Sequence, residues 1–334
     1  MNATDNYLHR ISVVVPVYLG ETTLGELIDD LRPFTVEFST PAGHRASVDE
    51  ILLVNDNGPD DSARVIRDLE AEVEQVRGIW LTRNFGQHAA TLAGMASSGN
   101  EWIVTLDEDG QHNPADIPLL LDTALRTGSH VVYASPINKP PHGVIRTGAS
   151  HLAKKSITLL FSDKSARPSQ YQSFRLILGE VGRSVAAYSG SGVYLDIALG
   201  WVTNRVTTAP VVLRAENREA SGYSYHSLAG HFWRMVLSSG TRGLRVVSVL
   251  GALFALSGII ASVFFLIERF TGGDLPQGWT TVVVVALLSS GAILISLGII
   301  AEYIGVAVNM AMGKPLYTVM NDPQNGPLGR GGMT

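Results

Sequence analysis

The chain has 334 residues, a net charge of −5 and an isoelectric point near 6.0. Apolar residues make up 46% and charged residues 16%, against the roughly 25% charged that is usual for a soluble protein, which excludes a disordered or acidic-tail protein. No basic field invites nucleic acid, and the absence of cysteine excludes disulfides, thiolate metal sites and a cysteine nucleophile.

Met1–Arg10 lacks an apolar core and cannot act as a signal peptide, so the segment up to about residue 240 is expected to stay in the cytoplasm. Short β-branched apolar runs at Ile11–Val15, Glu50–Val54, Ile79–Leu81, Trp102–Leu106 and His130–Ala134 read as strands. Helical patterns fall between them at Thr22–Leu31, Ser62–Val76, Gln87–Ser97 and Ile117–Arg126. Near-continuous apolar strands alternating with helices predict an α/β fold with a doubly wound, mostly parallel sheet, whose ligands bind at the carboxyl ends of the strands. No GxGxxG follows the first strand and no Walker-A sequence occurs, which removes the dehydrogenase and P-loop readings.

The excess of apolar residues lies after Leu244. Val246–Ile267 and Trp279–Ala301 carry no charge, and each is about the 20 residues that cross a bilayer. Arg234, Arg242 and Arg245 precede the first run, and Lys314 and Arg330 follow the second, so both ends of this hairpin are expected on the cytoplasmic side. The expected organisation is a catalytic domain at 1–224, an interfacial amphipathic helix at 225–243, two transmembrane helices within 244–305 (about 246–267 and 279–301), and a cytoplasmic tail at 306–334. That tail is expected to be disordered from Asn321.

Acid, amide and cationic groups follow the strands: Pro16-Val-Tyr18-Leu-Gly-Glu21, Asn55-Asp56-Asn57, Arg83-Asn84-Phe85-Gly86-Gln87-His88, and Asp107-Glu-Asp109-Gly-Gln111-His112. Two carboxylates two residues apart, with an amide two further on, suit Mg²⁺ or Mn²⁺ that shares its shell with a diphosphate. His88 and His112 read as structural polar residues.

Asp107-x-Asp109-x-Gln111 with Asn113-Pro114 resembles the D-x-D-x-Q motif of the family 2 glycosyltransferases of GT-A fold. Val14–Glu21, Val54–Ser62 and Arg83–Ala90 are similar to that family's strand-end segments, and Arg146-Thr-Gly-Ala-Ser150 to its acceptor loop. Ala301–Gly305 and Lys314–Tyr317 resemble the end of its two-span polyprenyl-phosphate branch. The resemblance implies that Pro16, Tyr18, Glu21, Asp56, Arg83 and Asp107 bind the nucleotide sugar, with Asp56 accepting from the base. It implies that Asp107, Asp109 and Gln111 meet Mg²⁺ or Mn²⁺. It assigns the acceptor phosphate to Arg146, Ser150 and Arg218, with Arg214 a rival for the last role. Asp109, Asp107 and Arg218 then form the catalytic set.

The activity implied is inverting transfer from a nucleotide sugar, UDP-linked by preference, to undecaprenyl or decaprenyl phosphate at the cytoplasmic face of the inner membrane. A homo-oligomer and a downstream flippase are implied partners. GDP-mannose as donor, and a non-catalytic nucleotide-binding partner of a flippase, stay open as alternatives.

Overall fold

β-branched residues with a period of two build the first strand, β1 (Leu8–Val17), where Val13 and Val15 face one side of the sheet and Val14 the other. The computed structural model describes residues 7–138, 172–190, 194–214, 278–312 and 315–325, with Leu256 and Ile260 as isolated positions. The chain divides into two units, one of Met1–Leu228 with Pro315–Thr334 and the other of Ala229–Lys314.

In the first unit β1 is followed by α1 (Leu24–Leu31), β2 (Phe38–Ser39), β3 (Arg45–Asn55), α2 (Ser62–Glu72), β4 (Val76–Leu81), α3 (Gln87–Ser97), β5 (Trp102–Thr105), α4 (Ile117–Thr127) and β6 (Val131–Pro136). Then come β7 (Arg175–Leu178), α5 (Gly179–Tyr188), α6 (Leu195–Val202), β8 (Val206–Val211) and, near the C-terminus, β9 (Val319–Met320). The sheet order is β8-β6-β7-β5-β1-β3-β4-β9, with β2 beside β3. Strands β5, β1, β3 and β4 are parallel neighbours, and β7 runs antiparallel between β5 and β6. The α/β, mostly parallel expectation holds, with β7 and the two-residue strands β2 and β9 as its antiparallel members.

Both faces are covered. Leu24, Ile28, Ile66, Leu120 and Leu121 pack with Val13 and Val15 on one side. Ala90, Ala93, Val181, Leu195 and Leu199 pack with Val14, Leu52 and Val54 on the other. Helix α3 approaches the sheet closely because its face is small. A Cβ on Gly94 would lie 2.3 Å from Val14 Cγ1 and 3.0 Å from Val54 Cγ2. That close seat sets the height of the α3 N-terminus at the rim.

Three expectations shift. The helix expected over Ser62–Val76 ends at Glu72, because Val76 already begins β4. The tail expected to be disordered from Asn321 is tied down as far as Asn325. There β9 pairs antiparallel with β4, Thr82 N–H donates to Thr318 C=O at 3.1 Å, and Asp322 takes a bidentate pair of bonds from Arg67 at 2.8 Å. In the second unit, helix α7 (Trp279–Ala311) runs 33 residues and passes the expected end of the second span by ten positions. Many α7 side chains and almost all of 246–267 lie outside the described residues. Among the described residues no helix is long and apolar enough to cross a membrane.

Candidate active site

Because β1, β3, β4 and β5 are parallel, the polar segments that follow them meet at one rim. The loop after β5 is the centre of it. Gln87, the first residue of α3, donates through Nε2 to Asp107 Oδ1, and Ser173 Oγ donates to Asp107 Oδ2. Asp109 Oδ1 accepts from the Gln111 backbone N–H at 3.0 Å. The Asp107 N–H donates to His112 Nδ1 at 3.2 Å, so a neutral His112 carries its proton on Nε2. His112 is 7% exposed and packs against Phe174, a structural position.

The other loops are laced to this one. Glu108, between the two acids, accepts from the backbone N–H groups of Tyr18 at 2.9 Å and Leu19 at 3.0 Å. It joins the end of β1 to the acidic loop, a role no local pattern announces. Glu21 accepts from Asp61 N–H at 3.2 Å, and Asp60 accepts from Glu21 N–H at 3.1 Å. Glu21 therefore ties the β1 and β3 loops together. Pro16 is buried within β1, and Tyr18 is 40% exposed at the rim.

Asp56 sits at the end of β3, nearly buried, and holds the loop after β4. Its two oxygens accept from Phe85 N–H at 2.7 Å and Gly86 N–H at 2.8 Å. Burial pushes its carboxyl up from the ordinary value, while those two amides and the Arg83 charge oppose the rise. Gly86 has φ of 93°, a region other residues seldom enter, and this turn starts α3 with Gln87 aimed at Asp107. Arg83 is exposed, with its guanidinium 3.9 Å from the Phe85 ring centroid.

Arg214 lies on the far side of the acidic loop. Its N–H donates to Gln111 C=O at 3.0 Å, its Nη2 to Asn113 Oδ1 at 2.7 Å, and its Nη1 to Asp30. Its guanidinium thus braces the acidic loop. Arg146, Ser150 and Arg218 lie outside the described residues.

Beneath the rim is a buried polar row that sequence reasoning did not single out. Arg175 and Asp196 are an ion pair at 3% and 4% side-chain exposure. Tyr133 Oη donates to Asp196 Oδ1 at 2.9 Å, and Arg175 Nε donates to Thr105 Oγ1 at 3.0 Å. Burial pushes the Asp196 carboxyl up, while Arg175 and Tyr133 oppose the rise. Tyr194 is pushed up to about 12, mainly by burial and then by the Asp196 charge.

The donor set suits a hard divalent cation that is incompletely held by protein. Asp107, Asp109 and Gln111 supply two carboxylates and an amide in a tight loop. Among the described residues no group of three or more His, Asp or Glu could hold a metal alone. Substrate phosphate oxygens would complete such a shell, as is usual for Mg²⁺.

Known proteins are similar to this chain over most of its length. A 4-deoxy-4-formamido-L-arabinose transferase described as acting with undecaprenyl phosphate, from Klebsiella pneumoniae (strain 342), is 28% identical over 324 residues, covering 93% of this chain and 92% of that protein. Its counterpart from Proteus mirabilis (strain HI4320) is 25% identical over 331 residues, covering 95% of each chain. Among solved structures, glucosyl-3-phosphoglycerate synthase of Mycobacterium tuberculosis, in complex with Mn²⁺, UDP and phosphoglyceric acid, gives a TM-score of 0.48 at 18% identity, covering 70% of this chain and 78% of that one. The family model "Glycosyl transferase family 2" matches residues 12–182, from within β1 to within α5, including the loops that follow β1, β3, β4 and β5. With just over half its length matched around that rim, the chain belongs to glycosyl transferase family 2 and is a glycosyltransferase.

Proposed function

We propose that this glycosyltransferase moves a monosaccharide from a nucleotide sugar to a polyprenyl phosphate, undecaprenyl or decaprenyl, with inversion at the anomeric carbon. One observation carries the reading. The likeness to proteins named as undecaprenyl-phosphate sugar transferases runs over more than nine-tenths of this chain, C-terminal region included.

The rim residues supply the chemistry. Asp107, Asp109 and Gln111 would hold Mg²⁺ or Mn²⁺, which when bound supplies a Lewis acid for the leaving diphosphate. Tyr18, Glu21, Asp56 and Arg83 shape the nucleoside side of the rim. Arg146, Ser150 and Arg218 are assigned to the acceptor phosphate, where charge-assisted hydrogen bonds suit its oxygens. The acceptor phosphate is already ionised at neutral pH, so the step needs no strong general base. Its oxygen attacks the anomeric carbon, and the nucleoside diphosphate leaves with the bonding pair. Alignment and fixed charge provide the acceleration.

The proposal places the enzyme at the cytoplasmic face of the inner membrane, held by a two-span hairpin at about 246–267 and 279–301. Val282, Ile293, Leu297 and Ile304 are exposed on α7, an apolar surface that lipid would cover. A UDP-sugar is the preferred donor, a homo-oligomer the preferred assembly, and a flippase the next partner of the product.

The test is radiolabel transfer in detergent with undecaprenyl phosphate, offering UDP-sugars and GDP-mannose in turn, with and without Mn²⁺. Lipid-linked product that disappears with a chelator is expected, and Asp109→Asn should lower turnover by about a hundredfold. Absence of lipid product from every donor would overturn the reading, as would near-normal turnover of Asp109→Asn at saturating metal.

A further inference from the structure

The side chains that hold Asp107 belong to a continuous polar path into the protein interior. Thr105, Arg175 and Tyr133 lie in one row across three strands: Arg175 of β7 is opposite Thr105 of β5 on one side and Tyr133 of β6 on the other. Asp196, in the first turn of α6, closes over that row and pairs with Arg175. The path then runs outward. Arg175 Nε donates to Thr105 Oγ1, and Thr105 Oγ1 donates to the Ser173 carbonyl. The hydroxyl of the same Ser173 donates to Asp107 Oδ2.

A second arm leaves from α6. Tyr194, the residue that precedes the helix, meets the His88 ring edge-on at 4.2 Å between centroids. His88 follows Gln87, whose amide donates to Asp107 Oδ1. Each Asp107 oxygen therefore receives one donor: Ser173 is joined to the buried pair through Thr105, and Gln87 precedes His88, which packs on Tyr194 just ahead of α6.

Stability alone is a poor reason for this row. A buried ion pair is often replaceable by apolar residues of equal volume without loss. A fixed carboxylate at the mouth of a site is a different requirement. A carboxylate offers about four lone-pair directions. Using one on each oxygen locks the rotation of the group and leaves its outward directions in a set orientation. Partners that fix a metal-binding carboxylate in this way commonly change metal affinity when they are removed.

We propose that Ser173 and Gln87 are positioning residues for Asp107, anchored from behind by Arg175–Asp196, and that they set how tightly the rim takes a divalent cation with a nucleoside diphosphate. The inference rests on the reading of Asp107 as a donor-site residue.

The experiment uses the full chain in detergent, with Mn²⁺ as the probe, read by electron paramagnetic resonance in the presence of UDP and, separately, GDP. Thermal unfolding is measured on the same samples. Ser173→Ala should weaken Mn²⁺ binding about tenfold, and Ser173→Thr, which restores the hydroxyl, should recover it. The melting temperature of Ser173→Ala should stay within about 2 °C of the parent, since a single rim hydrogen bond is small against the whole domain. Gln87→Met, on the exposed rim, should show the same loss and serves where Ser173→Ala fails to fold. Asp107→Asn is the reference. If it loses Mn²⁺ while Ser173→Ala and Gln87→Met bind like the parent, the positioning role is overturned and the donor-site reading stands. If Asp107→Asn itself binds like the parent, the donor-site reading fails and takes the inference with it.

Discussion

The two halves of the sheet bury different things. The parallel half, β5-β1-β3-β4, has an apolar core in which Val13, Val15, Ile51 and Leu53 are fully buried, and the polar side chains buried within its strands, Ser12, Ser47, Asn55 and Thr105, are uncharged. The mixed half, β7-β6-β8, carries charge in its interior, where Arg175 of β7 pairs with Asp196 of α6 beside Tyr133 and reaches Thr105 of the adjoining β5. The first half is a platform that several chemistries could share. The second is shaped to one requirement at the rim, and its cost is accepted where it supports Asp107.

The largest test of that contrast is Arg175→Met. It strands a buried carboxylate, and a loss of about 3–5 kcal/mol is expected from thermal or denaturant unfolding in detergent. Arg175→Met with Asp196→Leu should regain most of the stability. If it also regains Mn²⁺ binding, the row is mere packing and the contrast collapses.

In the parallel half the sensitive point is a missing side chain. Gly94→Val would push into Val14 and Val54, where even a Cβ lies at 2.3 Å and 3.0 Å, costing about 1–3 kcal/mol. Because the strain lifts α3, the Gln87 contact with Asp107 should weaken with it. Turnover should therefore fall further than the melting temperature suggests.

The smallest effect concerns the C-terminal segment. The Arg67 hydrogen bonds hold the Asp322 carboxyl below its ordinary value of 3.8. A lowered folded value means stability that is complete above the unfolded value and lost as pH falls through the folded one. Docking of this segment should thus loosen only below about pH 4, and Asp322→Asn should loosen it at neutral pH by about 1 kcal/mol. Arg67 lies 4.7 Å from the Trp80 ring centroid, so the part of the emission lost in Trp80→Phe reports the change. An Asp322→Asn chain with unaltered Trp80 emission at pH 7 would contradict it.

Much of this molecule is legible in the sequence because the first five long strands and four helices obey simple periods. The acidic rim is legible because Asp107, Asp109 and Gln111 are neighbours in the chain. What escapes has long-range causes. Strand β7 begins with Arg175, a charge that argues against a buried strand until Asp196, 21 residues on, is seen beside it. Glu108 looks like a spacer between two acids, yet its partners are backbone groups some 90 residues earlier. Asp56, read as an acceptor for the base, also holds the amides of Phe85 and Gly86, which lie some 30 residues further along the chain. Strand β9 is two residues long in a polar segment, too short for any period to register.

That short strand has a practical consequence. The first unit is written in two pieces, with the chain leaving it at Leu228 and re-entering at Pro315. A catalytic fragment cut off before the apolar region would keep β4 but lose β9. Its sheet would then begin life with an open hydrogen-bonding edge beside the Arg83–Gly86 loop, a template for sticking to other chains. Any shortened form meant to work in solution should carry Pro315–Asn325 back to that edge, joined by a linker.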